Sequence, residues 1–439
     1  MTKKTILIAF FICICISSIG QPKDTRKLDR YFSVLDSAGK FMGSVAIMQD
    51  GKIFYQRALG FSDVASGKMA STETRYRVGS ITKTFTAVLV MRTVEKGRIS
   101  LDQTIDKWYP SIRNAERITI RHLLSHRSGI HNFTDQPGYQ NWQTRAMTEQ
   151  QLTDTIISMP VDFEPGSKMS YSNSGYLLLT YILQKIWNKS YGTLLNQHIL
   201  KPVGMKDTRY GGKIAIENND SRSYRFMGNW INSPETDASI PAGAGAIVST
   251  TADIVKFADR LFSGKLISDA SLSQMKELKD NYGLALMRFP FFDKSGYGHT
   301  GGIDAFMSVY AYFPDTKTAY ALCSNGATLP INDISIAILS SLYGRNFEIP
   351  DFRSVTLNPE ELQKYLGSYV SKQIPLRIAF TRKGNKLISQ ATGQMPFELE
   401  AMGSHKFKFE RAGILIEFKP DSNQMLLKQG GGTFLFSKE

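Results

Sequence analysis

Cysteine is scarce: the chain has three in 439 residues, and two of them, Cys13 and Cys15, fall in the first twenty. That excludes a small disulfide-built scaffold. If those twenty residues are removed, Cys323 stands alone and no internal disulfide forms. No later segment has eighteen consecutive apolar residues, so no membrane-spanning helix is expected. There is no fixed-period repeat and no low-complexity tract, and the composition is neither disordered nor collagen-like. Acidic residues are outnumbered, 39 Asp and Glu against 53 Lys and Arg, for a formal charge of +14. Such a surplus favours anionic surroundings, whether polynucleotide, cell-wall polymer or lipid headgroup. What is present is 42% hydrophobic, 11% aromatic and 21% charged. That much apolar material builds a substantial core, and the length suits two or three domains.

Residues 1–20 open with Lys3 and Lys4, run apolar from Ile6 to Ile16, and end Ser18-Ile19-Gly20 before Gln21. This is the layout of a cleavable secretory signal, and the apolar run is short of the roughly 20 residues a spanning helix needs. Cys15 follows Ile12, Cys13 and Ile14 rather than the small residues of a lipoprotein signal. The mature protein is therefore expected to be exported, periplasmic or secreted, without stable membrane insertion, and to lose two positive charges with its leader.

Two apolar runs flank Asp50-Gly51 between Gly43 and Gly60, a strong hairpin signal. Helical patterning fills the middle of the chain. Strand patterning returns from Gly296, with FMSVYAYF and TAYALCSN on either side of Pro314-Asp315-Thr316, and a helical tract spans Asp333 to Tyr343. Strands from both ends thus enclose a helical centre. We expect a first domain over 25–345, a linker over 346–357 and a second domain over 358–439. The last segment alternates in short runs (LRIAFTR, NKLISQAT, HKFKFER, ILIEFKP) and reads as a small all-β barrel or sandwich. It holds 12 Lys and Arg against 8 Asp and Glu, too diffuse a basicity for a nucleic-acid surface.

The most informative stretch is Arg77-Val78-Gly79-Ser80-Ile81-Thr82-Lys83, which leads into an apolar helix expected from about Ser80 to Glu95 and stopped at Gly97. Ser80 and Lys83, three apart, share a helix face, so the amine reaches the hydroxyl. A serine hydroxyl is a weak nucleophile until a base takes its proton. A lysine serves if desolvation or a nearby cation lowers its pKa from about 10.4. A helix N-terminus adds backbone N–H groups and a dipole suited to an oxyanion. Ser273 and Lys276 repeat the spacing, but with charged neighbours Glu277 and Lys279 they read as a solvated face. Downstream, Glu164-Pro165-Gly166 approaches Tyr171-Ser172-Asn173 at the entry to the helix LLLTYILQKI, and Gly298-His299-Thr300-Gly301-Gly302 opens the later strands.

The order Ser80-x-x-Lys83, Tyr171-x-Asn173, His299-Thr300-Gly301 resembles the serine beta-lactamase and penicillin-binding-protein superfamily, in the branch holding class C beta-lactamases, D,D-carboxypeptidases, D-aminopeptidases and esterases. LLSHRSGI at 123–130 and AGAGAIVSTTADIVKFA at 242–258 are similar to family phrases. The resemblance covers about residues 25–345, while 358–439 resembles the lipocalin-like β-barrel often appended. It implies an α/β (α+β) fold, an antiparallel sheet flanked by helices with an inserted all-helical subdomain, then a small all-β barrel. It makes Ser80 the acylated nucleophile, Lys83 its activating partner and Tyr171 the shuttle to the leaving group. For that last role the phenol would need to be held as phenolate by Lys83 or another cation. Whether Lys83 or Tyr171 is the acylation base stays open. Asn173 would hold a substrate amide, His299 and Thr300 would contact the substrate carboxylate or carbonyl, and Gly301 would bind substrate beside them. Backbone N–H groups of Ser80 and Gly302 would form the oxyanion hole.

Class C beta-lactamases carry lysine where this chain has His299, and a mostly neutral imidazole supplies no fixed cation for a substrate carboxylate. A D-amino-acid peptide or small ester is thus the expected substrate, a beta-lactam the alternative, and a catalytically silent wall-binding protein a third reading. No cofactor, metal or nucleic acid is implied; the partner is a small or peptide substrate, such as a cell-wall peptide.

A second Tyr-x-Asn, Tyr139-Gln140-Asn141, lacks the Pro-Gly approach. His122 and His126, with His131 nearby, are spaced like zinc ligands, but Leu123 stands where a metalloprotease helix has Glu. His126 is read instead as hydrogen-bonded to backbone near the site. Asp102 is read as a helix-start or turn residue, Gly430-Gly431-Gly432 as a turn between strands, and Tyr297 and Tyr310 as lining either cleft or core.

Overall fold

The computed structural model describes residues 24–352, 355–403, 405–409, 412–429 and 432–439. The signal expected at 1–20 and Gly430-Gly431 of the expected turn lie outside the described residues. Packing divides the chain into two units, one of residues up to 32 with 39–347, the other of 33–38 with 348–439. Most of the stretch expected as a linker packs with the second unit, where the Val355 N–H donates to the Ala401 carbonyl at 2.9 Å.

The first unit is built on six antiparallel strands: β1 (Phe41–Gln49), β2 (Lys52–Leu59), β3 (Met287–Phe291), β4 (Lys294–Ile303), β5 (Phe306–Phe313) and β6 (Thr318–Ala327). Their order across the sheet is β3-β4-β5-β6-β1-β2, so the two ends of the unit meet where β6 pairs β1. Asp50 and Gly51 turn between β1 and β2 with φ of 49° and 74°, the double left-handed geometry that Asp-Gly favours in a two-residue hairpin. The helices between the strand groups include α1 (Thr82–Glu95), α2 (Asn173–Trp187) and α3 (Thr251–Phe262), and α4 (Ile331–Leu342) follows β6.

Strands β5 and β6 are buried almost without interruption, the pattern of strands covered on both faces. Tyr310 and Tyr312 of β5 face α3, where they meet Phe257 and Phe262 with ring centroids at 6.4 and 4.7 Å. Phe313, on the opposite face, meets Tyr343 just beyond α4 at 5.6 Å. Phe257 also stacks on Phe85 of α1 at 3.7 Å, tying the nucleophile's helix to α3. Tyr310 is fully buried, its hydroxyl on Thr84 Oγ1 at 3.1 Å, and Tyr297 packs on Phe262 at 6.1 Å; both belong to this packing.

The second unit is a closed barrel of eight antiparallel strands: β7 (Gly367–Val370), β8 (Arg377–Lys383), β9 (Lys386–Ala391), β10 (Phe397–Gly403), β11 (Lys406–Phe409), β12 (Ile414–Lys419), β13 (Gln424–Gln429) and β14 (Gly432–Lys438). Alternate residues turn inward, among them Ile378 and Phe380, Ile416 and Phe418, Met425 and Leu427. Phe418 has the rings of Tyr365, Tyr369, Phe380 and Phe407 at 4.8, 5.5, 5.0 and 5.5 Å. Eight strands leave an interior just wide enough for side chains, and here side chains occupy it. Among the described residues no helix is long and apolar enough to cross a membrane.

Candidate active site

Ser80 sits on a 3-10 turn, Gly79–Ile81, and the α-helix proper begins at Thr82, two residues later than the sequence pattern predicts. The cause is the neighbouring strand. Gly79 has φ of 51°, and a Cβ there would lie 2.8 Å from the backbone N and O of Gly302. A Cβ on Gly301 would lie 2.0 Å from the Val78 carbonyl oxygen and 2.4 Å from Ser308 Oγ. The end of β4 therefore lies directly on the turn that carries Ser80, an approach only glycine permits. Gly301→Ala should force the two apart and lower kcat/KM by about 10²-fold, the penalty of a misplacement near 1 Å. Steady-state kinetics on an ester substrate checks this; wild-type rates would contradict the clamp.

Lys83 is fully buried in the first turn of α1. Its Nζ lies 3.0 Å from Ser80 Oγ, 2.7 Å from Asn173 Oδ1 and 2.8 Å from the Ala244 carbonyl oxygen. The last two partners only accept, so they take two N–H bonds and leave the third position facing the serine. No carboxylate appears in this set, and burial pushes the Lys83 pKa well below its usual value. A neutral amine fits: two N–H groups donate to carbonyls and a lone pair faces the Ser80 hydroxyl.

Tyr171 brings its hydroxyl to Ser80 while its ring stays partly exposed. The Lys83 nitrogen lies 4.9 Å from the Tyr171 ring centroid. Burial raises the phenol pKa, opposed by the hydrogen bond to Ser80. The expected resting phenolate is therefore not favoured, because the group that would stabilise it is an amine whose own charge is disfavoured.

One further expectation gains detail and another is corrected. Asn173 lines the cleft, and its amide is also bonded inside the protein: Oδ1 accepts from Lys83, and Nδ2 donates to Asn132 Oδ1 at 3.2 Å and Thr134 Oγ1 at 3.1 Å. Oδ1 keeps a second lone pair. His299 is 2% exposed and faces Tyr282 and the backbone, so it offers the substrate no contact. Pleating explains this: successive side chains alternate, so the exposed neighbour Thr300 occupies the accessible face. Gly302 lines the cleft beside Ser80.

The cleft has a volume of about 210 Å³ and is lined by Ser80, Phe133, Tyr139, Gln143, Thr236 and Asp304 among others. Tyr139, of the competing Tyr-x-Asn, forms part of the wall and packs edge-on against Trp142 at 4.9 Å. Asp304, the one charged residue among those lining it, pairs with Arg77 at 2.8 Å, both 2% exposed. The other carboxylate oxygen takes the Thr236 N–H at 3.0 Å and the Thr236 hydroxyl at 2.6 Å.

Residues that sequence reasoning gave no role include Ala244, Asn132, Thr134, Asp304 and Tyr282. Ala244 lies inside the phrase AGAGAIVSTTADIVKFA at 242–258. His126 hydrogen-bonds backbone as expected: its Nδ1 accepts the Ser172 N–H at 3.1 Å. Ser273 is exposed.

A buried amine on a serine at a helix start, with a tyrosine against both and a glycine-edged strand alongside, defines a serine acyl-hydrolase. The Beta-lactamase family model matches residues 28–341, and the chain belongs to that family. Penicillin-binding protein 4* of Bacillus subtilis (strain 168) is 24% identical over 427 residues, which is 90% of this chain and 93% of that protein. A D-amino acid amidase from Ochrobactrum anthropi SV3, solved with L-phenylalanine amide, is 27% identical with a TM-score of 0.65, covering 72% of this chain and 98% of its own. The octameric penicillin-binding protein homologue from Pyrococcus abyssi shares the fold over 94% of this chain and 100% of its own, with a TM-score of 0.69 and 23% identity.

Proposed function

We propose that the protein cleaves amides or esters that carry no carboxylate, D-amino acid amides or small esters among them, through an acyl-enzyme on Ser80, with Lys83 as the acylation base. The observation that carries this is the Lys83 nitrogen, buried without a carboxylate, both N–H groups on carbonyls and its remaining position on Ser80 Oγ. Lys83 takes the serine proton as Oγ attacks the carbonyl carbon, and the N–H groups of Ser80 and Gly302 receive the oxyanion. The protonated Lys83 is then a cation 4.9 Å from the Tyr171 ring, which lowers the phenol pKa at the moment its proton is needed. Tyr171 donates that proton to the departing amine or alkoxide, and takes one from water in deacylation.

The substrate preference follows from the cleft's charges. Its one charged lining residue, Asp304, is neutralised by Arg77, and His299 is buried. A substrate carboxylate meets no free cation among the residues lining it, whereas an amide or ester without a carboxylate needs none. The amidase likeness supports the same choice.

The test is a panel of D-phenylalanine amide, a p-nitrophenyl ester, a D-Ala-D-Ala peptide and nitrocefin. We expect kcat/KM for the amide or the ester to exceed that for the two carboxylate-bearing substrates by at least about tenfold. The reverse order would contradict the proposal and favour a carboxypeptidase or beta-lactamase. The pH profile follows from the lowered Lys83 pKa. Activity needs the unprotonated amine, so kcat/KM rises with pH through an acid limb well below the ordinary lysine value near 10.4 and is flat above it. An acid limb at the ordinary lysine value would contradict the assignment.

A further inference from the structure

Behind Tyr171 runs a string of three buried side chains that the reaction above does not use. His126 Nε2 lies 3.1 Å from the Tyr282 hydroxyl, which lies 3.0 Å from His299 Nε2. The ends of the string fix the proton on each imidazole. His126 Nδ1 accepts the Ser172 N–H at 3.1 Å, so the His126 hydrogen is on Nε2. His299 Nδ1 lies 2.5 Å from the Thr300 carbonyl oxygen, which only accepts, so the His299 hydrogen is on Nδ1. Tyr282 thus accepts from His126 and donates to His299, with the Tyr176 hydroxyl, itself donating to the Leu124 carbonyl at 2.6 Å, as a further neighbour. Burial pushes both imidazole pKa values down, His299 to about 3, in keeping with two neutral rings.

His126 also brackets Tyr171 along the chain. Its carbonyl oxygen takes the Ser170 N–H at 2.9 Å and its ring takes the Ser172 N–H, so both neighbours of Tyr171 are tied to one residue. The His126 ring lies 4.2 Å from the Tyr171 ring, centroid to centroid. His126 itself holds φ of 57°, a left-handed conformation that a non-glycine residue keeps only where its surroundings impose it.

We propose that His126 is a positioning residue for Tyr171, its ring held at Nδ1 by the Ser172 N–H and at Nε2 by Tyr282, which His299 orients in turn, and that the string aims the Tyr171 hydroxyl at the leaving group. The inference rests on Tyr171 as the proton donor of the proposed reaction. A mispositioned donor penalises a poor leaving group, which departs only with a proton, and spares a good one, which departs as an anion. Loss of folded protein lowers both alike.

The experiment compares ethyl and p-nitrophenyl esters of one acyl group in wild type, Tyr282→Phe and His126→Asn. Asparagine tolerates the left-handed backbone and keeps an acceptor near Ser172, so His126→Asn guards against a simple folding defect. We expect kcat/KM, which reports acylation and not the deacylation both esters share, to fall about tenfold or more further for the ethyl than for the p-nitrophenyl ester in both variants. In a Tyr171→Phe background, Tyr282→Phe should add no further loss. Equal losses on both esters, no loss, or a full additional loss in the double variant would each overturn the inference. Fluorophosphonate labelling of Ser80 separates the layers: if wild type fails to label, the acyl-enzyme reading fails first and the inference with it, whereas labelling with unaltered ester ratios overturns the inference alone.

Discussion

Replacing Lys83 by methionine should lower kcat/KM by roughly 10³–10⁴-fold, about 4–5.5 kcal/mol of transition-state stabilisation. Methionine keeps the buried stem but removes the nitrogen that faces Ser80 Oγ at 3.0 Å. Lys83→Arg separates base from charge, because a guanidinium retains the cation and offers no lone pair at any working pH. The account therefore expects arginine to be about as inactive as methionine. Initial rates on a p-nitrophenyl ester, with the rate of fluorophosphonate capture beside them, are the measurement. Activity in Lys83→Arg near wild type would mean that a cation, and not a base, is what Ser80 requires. Tyr171 would then be the stronger candidate for the base.

Asp304→Ala should destabilise the first unit by about 3–5 kcal/mol, because it leaves Arg77 charged, buried and without its carboxylate partner. For a unit of this size that lowers the thermal midpoint by roughly 5–8 °C. The same carboxylate holds the Thr236 N–H and hydroxyl, and the Arg77 Nη2 reaches the Thr236 carbonyl at 2.7 Å. One ion pair thus joins the strand before Ser80, the loop at 236 and the end of β4. Activity should fall with stability. The double variant Arg77→Met, Asp304→Leu should recover part of the lost stability, since a buried pair replaced whole costs less than a pair broken in half. Calorimetry on the three proteins decides it. A single variant as stable as wild type would mean that water or another group satisfies Arg77.

How far the sequence foretold this protein depends on distance along the chain. Ser80 and Lys83 were legible because three residues of one helix start fix their relation. The Asp50-Gly51 hairpin and the alternating barrel strands were legible for the same reason: a turn pair or a period of two is a local signal. Tyr171 and Asn173 could be named only through their resemblance to a family motif, since nothing near them in sequence says that they meet Lys83. The internal partners of the Asn173 amide, Asn132 and Thr134, were not legible because they sit on a single 3-10 turn, too short for a periodic signal. His299 was misjudged because the face it presents depends on how β4 pairs with β5, opposite Tyr310, and a one-residue change of register would exchange it with Thr300. Ala244 and Tyr282 act through one carbonyl and one hydroxyl across 161 and 156 residues from Lys83 and His126. No pattern in the chain marks such partners.

The most direct test of the central claim is the mass of the peptide Val78–Lys83 after the protein has met a fluorophosphonate. The account predicts one adduct per chain on Ser80, formed in wild type and absent from Ser80→Ala. An unmodified peptide in wild type, or equal labelling of Ser80→Ala at another residue, would contradict it.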